Sequence, residues 1–149
     1  MKARFRIAAE ADFSEILSMM EDFYSIDNYP FDTKISEKNV KQFVQNQDLG
    51  RLWIIEVSER TIGYIVLTFG FSFEYRGRDA FIDEFYIKEP YRHRGIGKKA
   101  LAFVATKAKE FDIKAIHLEV EHHNKLANRL YSKNGYVGND RALMTKRIE

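Results

Sequence analysis

The stretch Asp83-Glu84-Phe85-Tyr86-Ile87-Lys88-Glu89-Pro90-Tyr91-Arg92-His93-Arg94-Gly95-Ile96-Gly97-Lys98 decides how this 149-residue chain is read. It passes from a β-type run, through a proline break, into a basic loop with two glycines that opens the helical pattern Gly95–Phe111. Glycines let backbone N–H groups converge without interference from side chains, and a helix N-terminus adds partial positive charge, so such a loop suits a pyrophosphate. Arg92, Arg94 and Lys98 strengthen the preference for an anion. The competing reading is a solvated basic loop before a glycine-assisted helix start, and a lone G-x-G would favour it. A P-loop does not fit: Lys99 follows Gly97-Lys98 where Ser or Thr is required, and Arg92 stands at the first glycine. Gly95-Ile96-Gly97-Lys98-Lys99-Ala100 matches the dinucleotide pattern G-x-G-x-x-A, with Glu119 near the distance of a ribose-binding acid. Yet seven residues, Lys88–Arg94, separate the strand from Gly95 where that fold needs a tight turn, and too little chain follows to finish its parallel sheet.

Upstream, Phe5–Ala8 reads as a strand, and a helix runs from Asp12 as N-cap to about Phe23 with Phe13, Ile16, Leu17, Met20 and Phe23 in one stripe. A second short helix starts near Ser36. The runs Leu52–Val57, Ile62–Phe73 and Ala80–Ile87 are separated by turn signals, which predicts antiparallel hairpins. Downstream, helix Gly95–Phe111 is followed by a strand at Ala115–Glu121, a helix at Leu126–Asn134 with Gly135 as its C-terminal cap, and a last strand near Arg141–Ile148. Strand, helix, strand implies a right-handed parallel crossover. The expected fold class is α/β: a mixed, mostly antiparallel sheet with one parallel β-α-β crossover and helices on both faces, over residues 1–149 as a single domain.

Composition narrows the function. Hydrophobic residues make up 45% of the chain and charged ones 31%, with 21 aromatics, which describes a globular protein. The net charge of +2 and the lack of a basic stripe beyond the loop argue against nucleic acid. With no cysteine, disulfides, thiolate metal sites and a thiol nucleophile are excluded. No apolar run is long enough for a membrane span or a secretory signal, so no membrane association and a cytoplasmic location are expected.

The loop Arg92-His93-Arg94-Gly95-Ile96-Gly97 fits in full the pattern Arg or Gln, two residues, Gly, one residue, Gly or Ala. The chain thereby resembles the GNAT superfamily of acetyl-CoA-dependent N-acetyltransferases. The preceding Asp83–Pro90 looks like that family's central strand and its exit. Asn124, Ala127, Leu130-Tyr131 and Gly135-Tyr136 fall at the spacing of its second signature, with Tyr136 in place of the commoner Phe. The paired Asp83 and Glu84 before an aromatic strand resemble the polyamine and small-amine branch.

The resemblance implies acetyl-CoA as co-substrate, no metal, and a primary amine as acceptor. A small molecule is favoured over a protein amine. The pyrophosphate would lie on Arg92, His93, Arg94, Gly95, Ile96, Gly97 and Lys98, the pantetheine arm along the backbone of Phe85, Tyr86 and Ile87, with Asn124 and Ala127 also at the cofactor. A backbone N–H near Ile87 would stabilise the oxyanion, and Tyr131 would protonate the departing thiolate. An amine attacks a thioester only when neutral, so a general base is needed, and Glu84 and Asp83 are the candidates. Strand alternation would send those two to opposite faces, so that one of them serves. Without cysteine, transfer is expected to be direct, in a ternary complex. The rival from another class is a non-catalytic acyl-CoA-binding or sensor domain.

Tyr24, Asp27 and Tyr29 lie where the family's acceptor site is built, and Glu121 is a further candidate for lining it. Carboxylates beside aromatic faces suit a cation, although helix core followed by a polar turn explains the first three equally well. Glu119, Glu121, His122 and His123 are poor chelate geometry on a strand, so no metal site is expected. Phe69, Phe71, Phe73 and Tyr75 alternate along one face, as core or as the interface of a homodimer.

Overall fold

Apolar alternation assembles five strands into one sheet in the order β1 (Ala3–Ile7), β2 (Gly50–Val57), β3 (Arg60–Ser72), β4 (Gly77–Ile87), β5 (Ala115–His117). The computed structural model describes residues 2–149. All neighbouring strands are antiparallel except β4 and β5, which are parallel and joined by α3 (Ile96–Glu110). The chain divides into two compact units, Met1–Glu119 and Val120–Glu149.

In the first unit the pleat sorts the core into two layers. Leu52, Ile54, Tyr64, Val66 and Tyr86 face α1 (Phe13–Ile26) and α2 (Thr33–Gln45), meeting Ile16, Met19, Met20 and Val40. Ile55, Val57, Ile62 and partly buried Phe85 and Ile87 face α3, meeting Ile96 and Ala100. Phe103 of α3 stacks on Phe5 and meets Trp53 edge-on. Full burial of each such side chain is worth about 1.5–3 kcal/mol, which is why both sheet faces hold their helices.

Several element ends differ from the sequence expectation. Asp12 stands at the N-cap position of α1, as expected, but its side chain makes no capping hydrogen bond to that helix. The helix begins a turn earlier as a 3-10 segment, Glu10–Asp12, and Asp12 accepts from the Ala9 N–H at 2.8 Å while Arg6 holds both its oxygens at 2.8 Å. The second helix starts before Ser36, at Thr33, because Asp32 accepts from the Ile35 N–H at 3.0 Å and supplies the cap. The strand expected over Ala115–Glu121 ends at His117, as far as it pairs with β4. The strand expected near Arg141–Ile148 is not formed; that segment has no regular pairing and leaves Leu143, Met144 and Ile148 exposed.

The second unit carries α4 (Lys125–Lys133), capped by Asn124, whose side chain accepts from the Ala127 N–H. Gly135 follows at φ 92°, the left-handed position expected of a helix C-terminal cap. Among the described residues no helix is long and apolar enough to cross a membrane.

Candidate active site

The centre of interest is a break in the pleat of β4. Val66 pairs with Glu84 and Leu67 with Ile82, so Asp83 is an extra residue, a bulge. A bulge bends a strand and resets its alternation. The reading that places Asp83 and Glu84 on opposite faces by simple alternation therefore does not apply here. Glu84 lies on the α1 side, in line with Val66 and Tyr64.

There the carboxylate is gripped by two phenols. Tyr24 of α1 donates to Oε2 at 2.5 Å and Tyr64 of β3 donates to Oε1 at 2.8 Å. Burial pushes the Glu84 carboxyl above its ordinary range; the two phenol hydrogen bonds pull against this, and the Asp83 charge adds to it. Asp83 is raised as well, by desolvation, although it keeps substantial contact with solvent. Both phenols are held far above their usual range, chiefly by burial, so they remain donors across the working pH range. Tyr86, over whose ring Arg92 sits at 5.4 Å, shares this face, and the charge of Asp22 acts on it.

The same bulge follows the last β4–β5 pair, Phe81 with His117. From Ile82 onward β4 has β3 on one flank and no β5 on the other. The Lys88 N–H donates to the Ile62 carbonyl at 2.7 Å, which makes Lys88 and Ile62 a hydrogen-bonded pair. In an antiparallel ladder the adjacent pair, Ile87 with Gly63, then turns its backbone groups outward, and so does Phe85 with Ile65. The N–H and C=O of Phe85 and Ile87 thus point to the flank that β5 leaves. The outward Ile87 carbonyl accepts from Arg92 Nε at 2.7 Å, which ties the strand exit to the basic loop.

The loop itself is a bend made of left-handed residues. His93 has φ 63° and Gly95 has φ 80°. Gly95 is the N-cap of α3 and no side chain caps the helix there. A Cβ on Gly95 would meet nothing within 4 Å, so the glycine is needed for its backbone conformation and for an unobstructed approach to the helix end. His93, Arg94, Gly95 and Lys98 are exposed, Arg92 and Gly97 half-buried, and Ile96 anchors the turn in the core. Uncapped N–H groups and three cations make this end of α3 fit a diphosphate.

In the second unit, Tyr131 lies on α4 with its ring 6.0 Å from that of Tyr136, whose N–H donates to the Tyr131 carbonyl. Burial raises the phenols of both, Tyr136 to about 12. The Asn124 carboxamide oxygen is engaged by the helix cap, and Asn128 donates to the Glu121 carbonyl at 3.0 Å.

Of the acceptor candidates, the structure brings Tyr24 to Glu84. Asp27 ends α1, and Tyr29 is exposed, its N–H donating to the Tyr24 carbonyl at 2.9 Å. The aromatic stripe splits. Phe69 packs on Phe111 with Arg51 and Arg78 over its ring, and Tyr75 packs on His117, whereas Phe71 and Phe73 are exposed. Tyr64 escaped the sequence reading. Its signal was a lone phenol inside the apolar run Ile62–Leu67, since a buried hydroxyl must find a partner.

Comparison with known proteins gives the family and the fold. The model of the Acetyltransferase (GNAT) family matches residues 15–136. An uncharacterized N-acetyltransferase, YycN of Bacillus subtilis, is 34% identical over 98 residues, which cover 65% of this chain and 61% of that protein. A thialysine N-epsilon-acetyltransferase of Mus musculus is 28% identical over 136 residues, covering 86% of this chain and 80% of the mouse protein. Among solved structures, an integron cassette protein from a salt-marsh metagenome superposes with a TM-score of 0.86 at 28% identity, covering 97% of this chain and 90% of that one. A predicted acetyltransferase from Clostridium acetobutylicum, solved with acetyl-CoA, has the same fold, with a TM-score of 0.81 at 22% identity and coverage of 97% and 96%.

Proposed function

The chain belongs to the GNAT family of acetyl-CoA-dependent N-acetyltransferases, and from that premise we propose that its 149 residues act as one domain moving the acetyl group of acetyl-CoA to a primary amine on a small molecule. The observation that carries this reading is the bulge at Asp83. One irregularity frees the Phe85–Ile87 backbone from β5 and turns Glu84 toward α1.

In this reading the Arg92–Lys98 loop holds the pyrophosphate, and the outward N–H and C=O of Phe85 pair with the pantetheine arm. The Ile87 N–H stabilises the carbonyl oxygen as it gains negative charge, a task that preorganised backbone donors perform well. Glu84 takes the proton of the attacking amine. A carboxylate raised by burial is a stronger base than an exposed one, and a catalytic pKa nearer the working pH serves best. Tyr131 supplies a proton to the departing thiolate, and its raised phenol keeps that proton until needed. Asn124 contributes its amide donor to the pantetheine.

The acceptor is an amine carried on an amino-acid-like or diamine-like small molecule. Asp22, Asp83 and Glu84 set beside Tyr24 and Tyr86 suit an ammonium group. Relatives named for thialysine and for D-amino acids fit the same class of acceptor. The test is a thermal-shift and initial-rate series with acetyl-CoA and a panel of small amines. Expected are stabilisation by acetyl-CoA, turnover with an amine, and intersecting double-reciprocal lines. A ping-pong pattern would overturn direct attack. Acetyl-CoA binding without turnover on any amine would point to the acyl-CoA sensor instead.

A further inference from the structure

We propose that Tyr64 is a positioning residue for acetyl transfer: its phenol pins the Glu84 carboxylate from the core side, leaving the oxygen on the α1 side to take the proton of the amine. The inference rests on the reading of Glu84 as base and adds a residue to it.

The geometry is specific. Tyr64 pairs with Tyr86, so it is the diagonal neighbour of Glu84 on one sheet face, within reach of an aromatic ring and a long side chain. Only the bulge makes them share that face. Ile82 pairs with Leu67 and Glu84 with Val66, and those β3 neighbours lie on opposite faces. Unbroken alternation from Ile82 would have sent Glu84 to the α3 side.

The two phenols are not equivalent. Tyr64 is fully buried, packed between Phe23 and Tyr86, so its hydroxyl donates to Glu84 out of contact with solvent. Tyr24 approaches from α1, is half-buried, and stacks edge-on with Phe31. A fixed donor on Oε1 removes the rotational freedom of the carboxylate, and Oε2 keeps a second lone pair beside Tyr24 for the incoming proton. As the amine nitrogen bonds to the acetyl carbon and the carbon–sulfur bond breaks, the proton leaving nitrogen goes to Oε2. The other charged and titratable groups that act here are Asp83 beside Glu84, Tyr86 two residues on, and, acting on Tyr86, Asp22 of α1 together with the cations Arg92 and Lys88.

The test follows the Glu84 carboxyl by selective 13C labelling and pH titration, alongside the pH profile of kcat/KM. Tyr64→Phe removes one hydrogen bond to the charged form, so the Glu84 titration and the acid limb should both move up by on the order of one pH unit. At neutral pH kcat should fall about tenfold with the acetyl-CoA KM nearly unchanged. Site-specific 3-fluorotyrosine at 64, a stronger donor of the same shape, should move both downward. It also decides the matter if Tyr64→Phe fails to fold, as judged by loss of acetyl-CoA thermal stabilisation. A titration and acid limb that stay at the wild-type position in both variants would overturn the proposal. Full activity in Glu84→Gln would instead remove the base role, and the carboxyl titration would still report whether Tyr64 holds Glu84.

Discussion

The Arg92–Lys98 loop and the Tyr24–Glu84–Tyr64 cluster are built in opposite ways. The loop is local: consecutive residues supply its left-handed turns, its cations and an uncapped helix end, and most of it is exposed. The cluster is assembled from α1, β3 and β4, with residues 60 and 20 positions from Glu84, and all its donors are spoken for. The difference reflects two tasks. An anion site for a mobile ligand must keep donors unsatisfied and reachable. An acid–base group must be partly desolvated and held still, which takes partners from elsewhere in the chain.

Mutations should separate the two regions. The largest effect is expected in the cluster: Glu84→Gln keeps shape but not basicity, and steady-state assays should show kcat reduced by about 10²–10⁴-fold with acetyl-CoA binding retained. Next comes the loop. Gly95→Glu puts a side chain and a negative charge at the helix end, and should abolish the thermal stabilisation by acetyl-CoA, about 2.7 kcal/mol at a hundred times its dissociation constant. If Glu84→Gln weakened acetyl-CoA binding as much as Gly95→Glu does, the division into independent regions would fail.

Tyr131→Phe belongs to neither region and should lower kcat about 10–100-fold while acetyl-CoA binding is unaffected. In the wild type, the alkaline limb belonging to this phenol should lie above its ordinary value near 10, because burial raises it. A Tyr131→Phe profile that kept that limb would assign it to another group.

The smallest effects concern framework. Asp32→Ala removes the α2 cap and should cost about 1 kcal/mol, roughly 3 °C in Tm for a chain of this size. Asp12, lowered by Arg6, adds stability that is complete above about pH 4 and lost as pH falls through its depressed folded value. Asp83 and Glu84, both raised, act in the other direction: their burial opposes stability once they ionise and ceases to do so as pH falls. Urea midpoints of wild type and Asp12→Asn from pH 3 to 7 should converge at the acid end.

What could be read from the sequence follows from range. The order of strands and helices as far as α4, the β4-α3-β5 crossover, the loop with its Gly95 turn, and the cap at Gly135 all rest on neighbouring residues, whose propensities act within a few positions. Asp12 misled because a cap can be claimed by a competing neighbour: Arg6 and Ala9 took its carboxylate. The start expected near Ser36 lies three residues earlier because Asp32 supplies the cap of α2. Tertiary structure alone decided the bulge at Asp83 and, through it, the side on which Glu84 meets Tyr24 and Tyr64. Period-two alternation contains no mark of one extra residue. That residue is set by how β4 must bend between β3, which pairs along its length, and β5, which leaves after Phe81.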